Sequence, residues 1–153
     1  MAWSASKIFM AFVEDCFENT SANDLDSDTH KAALYDNDIT PDQTVATANT
    51  IYNAGQWTSA GNEVFDGAEW AVGGVALSGV TSGFASNVYT FDASNTVSTG
   101  TSATLANVYG CLVYDDTTAD HGICYNYFGG TNSVTDGTFT IIWHASGIFT
   151  LTL

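Results

Sequence analysis

Residues 104–128 read TLANVYGCLVYDDTTADHGICYNYF, and this stretch decides the fold. The run over residues 104–114 is apolar almost throughout, which is typical of a strand that is buried on both faces. Residues 115–121 are rich in Asp and Thr, which favour a turn, and residues 123–128 form a second strand. We therefore predict an antiparallel hairpin whose first strand lies centrally in a sheet, beneath an N-terminal helix.

Short strands separated by turn residues surround this hairpin. We predict them at residues 30–35, 75–80, 87–91, 96–97, 139–144 and 148–153. Residues 92–100 otherwise form a loop, as do residues 129–133, and residues 44–53 form a short helix that Gly55 ends. About seven short strands at this spacing predict a mainly β chain, folded as an antiparallel β-sandwich in a single domain over residues 1–153.

The one strong helical period lies at residues 4–18, with Ser4 as its N-cap and residues 19–21 as its end. Its apolar stripe has steps of three and four residues and consists of Ala5, Ile8, Phe9, Phe12, Val13, Cys16 and Phe17. We predict an amphipathic helix packed on the sheet. The alternative is a helix that docks on a partner, because Trp3 stands just ahead of it.

The charge balance excludes several classes of partner. Seventeen acids face two bases, Lys7 and Lys31, and the net charge is −15. DNA and RNA are bound largely by Lys and Arg, and anionic membranes attract the same residues, so we expect neither partner. No apolar run approaches the ~18 residues of a membrane-spanning helix. A halophilic origin and a surface that avoids nucleic acid both remain explanations of the acidity.

The three cysteines are predicted to be free, mostly buried thiols. Cys16, Cys111 and Cys124 are an odd number, and no pair has the spacing of a zinc site. The N-terminal residues lack the basic, apolar and cleavage regions of a secretory signal, so we expect synthesis in a reducing cytosol. If the hairpin turn centres near residues 117–118, Cys111 and Cys124 become near cross-strand neighbours.

The acids Asp24, Asp26 and Asp28 have the spacing with which a calcium loop begins. A complete EF-hand loop needs Gly at its sixth position and Glu at its twelfth, where this chain has Thr29 and Tyr35. We interpret the three acids as a solvated acidic turn, and weak cation binding there stays open.

No arrangement of residues predicts catalysis. His30, His121 and His144 stand near no recognisable nucleophile, and the sequence around Ser78 lacks the first glycine of a nucleophile elbow. The pairs Gly73-Gly74 and Gly129-Gly130 favour turns or bulges rather than a phosphate-binding loop, which needs a longer glycine pattern. We therefore expect no enzyme activity, no metal and no cofactor.

The long connection over residues 56–70 carries aromatic side chains. Trp57, Trp70 and Tyr52 can stack on a sugar, or they can close one end of the sandwich, which we favour. The candidate partner-binding residues of the chain are Trp3, Trp57, Phe65 and Trp70. The loops at residues 56–70 and 92–100 are the predicted contact regions.

The order of segments resembles a group of small virion proteins of tailed bacteriophages, including actinobacterial phages. The resemblance runs through most of the chain: the helix of residues 6–17, KAALYD (31–36), NEV (62–64), EWAVGGVAL (69–77), LANVYGCLVYD (105–115), FGG (128–130), VTDGTFTI (134–141) and GIFTL (147–151). Such proteins are usually described as capsid decoration (minor capsid) proteins or as small tail or fibre proteins.

This resemblance implies a structural virion protein, most closely a capsid decoration protein that binds and stabilises the outer shell. Its implied partners are the major capsid protein, other virion subunits and further copies of itself, and its location is the virion, assembled in the host cytoplasm. The alternatives are a tail or fibre-like or carbohydrate-binding module and, with least support from the residues, a small hydrolase.

Overall fold

A long antiparallel hairpin forms the centre of the protein in the computed structural model, which describes residues 3–153. Strand β8 (Ala103–Asp115) pairs with β9 (His121–Gly137), and Asp115 lies opposite His121 at the turn. Residues 110–115 of β8 are buried on both faces, because β8 lies between β9 and another strand of the sheet. The predicted hairpin, its turn and its central strand are confirmed.

Two further sheets and one main helix complete a mainly β, antiparallel architecture with sandwich-like packing. The remaining elements are β1 (Lys7–Ile8), α1 (Met10–Glu18), β2 (His30–Tyr35), 3-10 turns at Thr47–Asn49 and Gly55–Trp57, the irregular turn α2 (Ser59–Asn62), β3 (Glu63–Val64), β4 (Val75–Ala76), β5 (Thr81–Ala85), β6 (Val88–Asp92), β7 (Thr96–Val97), β10 (Thr140–Ile141) and β11 (Phe149–Thr152). The six-stranded sheet has the order β1-β9-β8-β2-β3, with β4 also paired to β2. Strands β11-β6-β5 form a second sheet, and β10-β7 a third.

The N-terminal helix is shorter than predicted. Ser4 is not its N-cap: Lys7 and Ile8 pair with Tyr125 and Cys124 at the edge of β9, and α1 begins only at Met10. Extended backbone at this edge satisfies hydrogen-bonding groups of β9 that a helix would leave unpaired. Helix α1 ends at Glu18, as predicted.

The three-stranded sheet β11-β6-β5, which we call the small sheet, packs against the six-stranded main sheet and against α1. Phe91 of β6 is fully buried, and its ring centroid lies 5.3 Å from that of His30 in β2. On the other side, Phe12 of α1 contacts Phe149 of β11. These contacts place α1 and the β11-β6-β5 sheet side by side on the protein surface.

Four predicted segments differ from the structure. Residues 44–53 contain one 3-10 turn instead of a helix. The predicted strands at residues 75–80 and 139–144 shrink to β4 and β10. Residues 129–133 are not a loop but lie within β9, which advances five residues from Tyr127 to Asn132 while β8 advances two. A bulge at Gly129-Gly130, both with positive φ, takes up the difference.

Trp3 fastens the N-terminal segment to the hairpin. Its indole Nε1 donates a hydrogen bond to the backbone oxygen of Asp36, and its ring lies over Gly110 of β8. A Cβ on Gly110 would approach the Trp3 ring to 2.6 Å and the Asn126 oxygen to 2.4 Å. Only glycine therefore lets the tryptophan and the neighbouring strand come this close.

Candidate docking surface

Three of the four residues predicted to bind a partner lie in the core. Trp57 and Trp70 are fully buried and Trp3 is 4% exposed. The Trp57 ring packs edge to face on Trp3, with centroids 5.9 Å apart, and its backbone oxygen accepts the Tyr35 hydroxyl at 2.6 Å. Burial of such large apolar rings stabilises the fold, and it removes these three residues from any surface that binds a sugar or a partner.

Phe65, the fourth of these residues, is 46% exposed. The two loops predicted as contact regions are joined to each other, because the backbone of Thr99 donates a hydrogen bond to the Glu69 oxygen at 2.9 Å. The Thr99 hydroxyl donates to the backbone oxygens of Ala68 and Glu69 as well. Phe65 stays a predicted partner-binding residue.

A largely apolar surface lies elsewhere, in a groove between α1 and the small sheet. We call it the α1 groove. It encloses about 290 Å³. It is lined almost wholly by apolar side chains, namely Ile8, Phe12, Val13, Cys16, Phe17, Leu25, Phe84, Tyr89, Phe149, Leu151 and Leu153.

Side chains of the small sheet form the floor of the α1 groove, and the strand register aligns them. Tyr89 of β6 lies opposite Phe84 of β5 and opposite Leu151 of β11, so the three side chains form one row across the sheet. The next row joins Phe91 to Phe149, because side chains two residues apart share a face. Helix α1 covers the second row and leaves the first row open.

Side chains on one face of α1 form a wall of the α1 groove. Phe12, Val13, Cys16 and Phe17 recur at the steps that place side chains on one face of a helix. Phe12 is buried against the small sheet, whereas Phe17, five residues further on, is 77% exposed. Phe84 across the groove is 62% exposed. Large aromatic side chains exposed on both sides of one depression mark an interaction surface.

Carboxylates border the α1 groove. Glu14 is exposed and lines a second depression together with Val13 and Phe17. Asp26 accepts a hydrogen bond from the hydroxyl of Ser82 in β5 at 3.0 Å. One acid therefore lies beside the helix wall of the groove and one beside its sheet wall.

The two bases of the chain do little to offset this charge. Lys31 pairs with Asp116, whose carboxylate oxygen lies 2.8 Å from the lysine Nζ. Lys7, on β1, is exposed next to the groove residue Ile8. The border of the groove thus keeps a net negative charge.

The acidic turn of Asp24, Asp26 and Asp28 is closed by its own backbone. The Asp24 carboxylate accepts the backbone N–H groups of Asp26 and Ser27, and Asp28 accepts that of Asp24 at 2.8 Å. These bonds use the carboxylate oxygens as caps of a turn. Within residues 3–153, no three His, Cys, Asp or Glu side chains are arranged to hold a metal ion.

Beside this turn lie two buried titratable groups. Asp115 accepts the backbone N–H groups of Thr117 and Thr118, and its pKa is raised by burial and also by the adjacent Asp28 carboxyl. His30 is 1% exposed, and burial lowers its pKa despite the neighbouring acids. The Asp115 carboxyl joins the end of the central hairpin to the acidic turn through Asp28, and neither Asp115 nor His30 lines the α1 groove.

Glu63 is a further buried acid, and it holds the residues before β4 in place. Glu63 accepts the backbone N–H of Gly73 at 2.7 Å and the hydroxyl of Tyr52 at 2.9 Å. Burial raises the pKa of Glu63, and the Tyr114 hydroxyl bonds the Gly73 oxygen at 2.7 Å. Every polar partner of this carboxylate belongs to the fold itself, so the arrangement is structural.

Sequence reasoning missed the sheet side of the groove because it did not predict β5. The signal was Asn87, which favours the left-handed backbone of a two-residue hairpin turn. Ser86 and Asn87 both have positive φ and join β5 to β6. Recognition of that turn would have paired Phe84 with Tyr89. The predicted strand at residues 148–153 then supplies Leu151, which lies opposite Tyr89.

Comparison with known proteins adds no relative. No protein-family model matches the chain, and neither a curated protein nor a solved structure is significantly similar to it. None of the helices within residues 3–153 has the length and apolar character to cross a membrane.

Proposed function

We propose that this protein is a structural component of a tailed-phage virion, a capsid decoration protein that binds the outer shell and stabilises it. The observation that carries the proposal is the α1 groove, an apolar depression with exposed aromatic side chains on both walls. A protein that works by attachment needs such a surface, and exposed apolar patches of this kind are typical of interaction sites.

The virion assignment is supported by the resemblance of the segment order to small phage proteins. The charge is consistent with it. With a net charge of −15, the chain is repelled by packaged DNA, so it does not compete for the genome during assembly. Its attachment must use aromatic and aliphatic anchors and acid-to-base contacts, because the chain contains no Arg.

Cryo-electron microscopy of particles that carry the protein tests the proposal. The expected result is density for the chain at symmetric positions on the outside of the shell. Particles assembled without it are expected to form but to lose their shells at lower temperature or lower salt. Density only on the tail, with bare shells equally robust, would overturn the decoration assignment in favour of the tail or fibre alternative.

A further inference from the structure

We infer that the α1 groove binds a basic amphipathic segment of a partner protein, in which Lys or Arg residues flank a short row of apolar anchors. This inference rests on the proposed function for the partner being another virion subunit. The chemistry of the segment itself follows from the groove.

The length of the groove sets the length of the segment. Helix α1 has nine residues and is therefore about 13 Å long. Two to three turns of a partner helix span this distance. Its apolar side chains would pack between Phe17 on the helix wall and Phe84 on the sheet wall, both of which are largely exposed. Grooves of this kind bind amphipathic helices through anchors three and four residues apart.

Charge selects among the possible occupants. Glu14 lies beside the helix wall of the groove and Asp26 beside its sheet wall. A second copy of this chain would bring a further net charge of −15 to this border, which disfavours self-association. An anionic membrane is repelled in the same way. Basic residues that flank the apolar anchors are attracted by the carboxylates on both sides.

Three fluorescent peptides of about 14 residues test the inference on the full chain. The first combines Leu anchors with Lys, the second the same Leu anchors with Glu, and the third Lys with Ser in place of Leu. By fluorescence anisotropy, the Leu/Lys peptide should bind, and the other two should bind at least about tenfold more weakly. Binding of the Leu/Lys peptide should weaken as salt rises, because the flanking charges are exposed.

Two variants and one control locate the site. Phe17→Ser removes the exposed anchor and should weaken Leu/Lys binding about tenfold. Glu14→Lys should also weaken it, because it reverses the charge beside the helix wall. Asp38→Lys makes the same charge change on the loop after β2, away from the groove, and should leave binding within about twofold of the parent chain.

Cys16 gives an independent readout, since it lies in the groove and is exposed, whereas Cys111 and Cys124 are buried. The Leu/Lys peptide should slow alkylation of Cys16 by iodoacetamide, and the Leu/Glu peptide should not. Unchanged alkylation with bound peptide would place the binding site elsewhere and overturn the inference.

The remaining outcomes are equally decisive. Dimerisation that Phe17→Ser abolishes would make a second copy the occupant. Binding to phosphatidylglycerol vesicles that Phe17→Ser abolishes, without peptide binding, would make a lipid surface the occupant of the groove. Either result overturns the inference.

The inference and the decoration assignment can fail separately. If no peptide binds although the chain is found on shells, only this inference fails. If the Leu/Lys peptide binds and the chain is found only on tails, only the decoration assignment fails.

Discussion

Phe12 of α1 and Phe149 of β11 meet edge to face, with ring centroids 6.3 Å apart and ring planes at 70°. Phe12 is 6% exposed, so this contact joins the helix to the small sheet inside the core. The apolar stripe of the helix thus serves the fold at Phe12 and is left open at Phe17. The two residues are five positions apart in sequence, which is about 1.4 helical turns.

The first prediction separates these two parts of the stripe. Phe12→Ala should lower the free energy of unfolding by about 3–5 kcal/mol, because it removes a buried ring and leaves a cavity. Phe17→Ala, at a side chain 77% exposed, should change it by less than about 0.5 kcal/mol. Urea unfolding curves measure both. A loss below about 1 kcal/mol for Phe12→Ala would mean that the stripe is not core in the free protein.

The second prediction concerns the approach of Trp3 to Gly110. Gly110→Ala should destabilise the chain by about 1–3 kcal/mol, because its Cβ would overlap the Trp3 ring and the Asn126 oxygen. Gly67→Ala is the control, since a Cβ there meets no atom within 4 Å. Tryptophan fluorescence during urea unfolding follows both variants. Equal stability of the two variants would contradict the packing of Trp3 on β8.

The third prediction is a pH dependence at Asp115. Burial and the neighbouring Asp28 carboxyl raise the pKa of Asp115, so the folded chain holds a proton that the unfolded chain releases. Stability from this group is therefore lost as pH rises from about 4, the ordinary Asp value, through the raised pKa. Asp115→Asn keeps an oxygen for Thr117 and Thr118 and carries no charge, so it should be more stable than the parent chain at about pH 7.

Thermal unfolding between about pH 5 and pH 7 measures this effect. Asp115→Asn should flatten the profile, whereas Asp38→Asn, at an exposed acid, should leave its slope unchanged. A profile with the same slope in the parent chain and in Asp115→Asn would show that Asp115 does not titrate in this range.

The fourth prediction concerns thiol reactivity. Cys111 and Cys124 are free and buried; burial raises the pKa of the Cys124 thiol to about 12 and that of Cys111 well above its usual value. Cys16 is exposed, although partial burial and then the charge of Asp15 raise its pKa as well. A chromogenic disulfide reagent should therefore modify one thiol in the native chain and three in denaturant.

Mass spectrometry under non-reducing conditions provides the check on pairing. Cys111 lies opposite Asn126 and Cys124 opposite Val113, so the two cysteines are diagonal neighbours on one face of the hairpin. We expect both as free thiols in particles isolated with alkylation. A bridge between them would overturn the assumption of assembly in a reducing compartment.

Much of the fold could be predicted from local pattern. The apolar run of β8, the Asp- and Thr-rich turn and the return strand specify the central hairpin, because continuous burial, turn chemistry and strand propensity agree there. The helix of residues 10–18 follows from its period. The binding residues were harder to predict, because an exposed and a buried tryptophan have the same sequence signature until their neighbours are known.

By itself the sequence determined the mainly β class, the hairpin, the end of α1 and a net charge of −15. Tertiary structure alone decided that Lys7 and Ile8 leave the helix to pair with β9, that Trp57 and Trp70 are core, and that Phe17 and Phe84 face each other across a groove. The hydrophobic period and the charge of a segment can be read from that segment alone. Which strand edge is paired and which side chains are covered depend on which segments meet in the folded chain. The helix covers the row of Phe91 and Phe149 in the small sheet and leaves the row of Phe84, Tyr89 and Leu151 open, which forms the α1 groove.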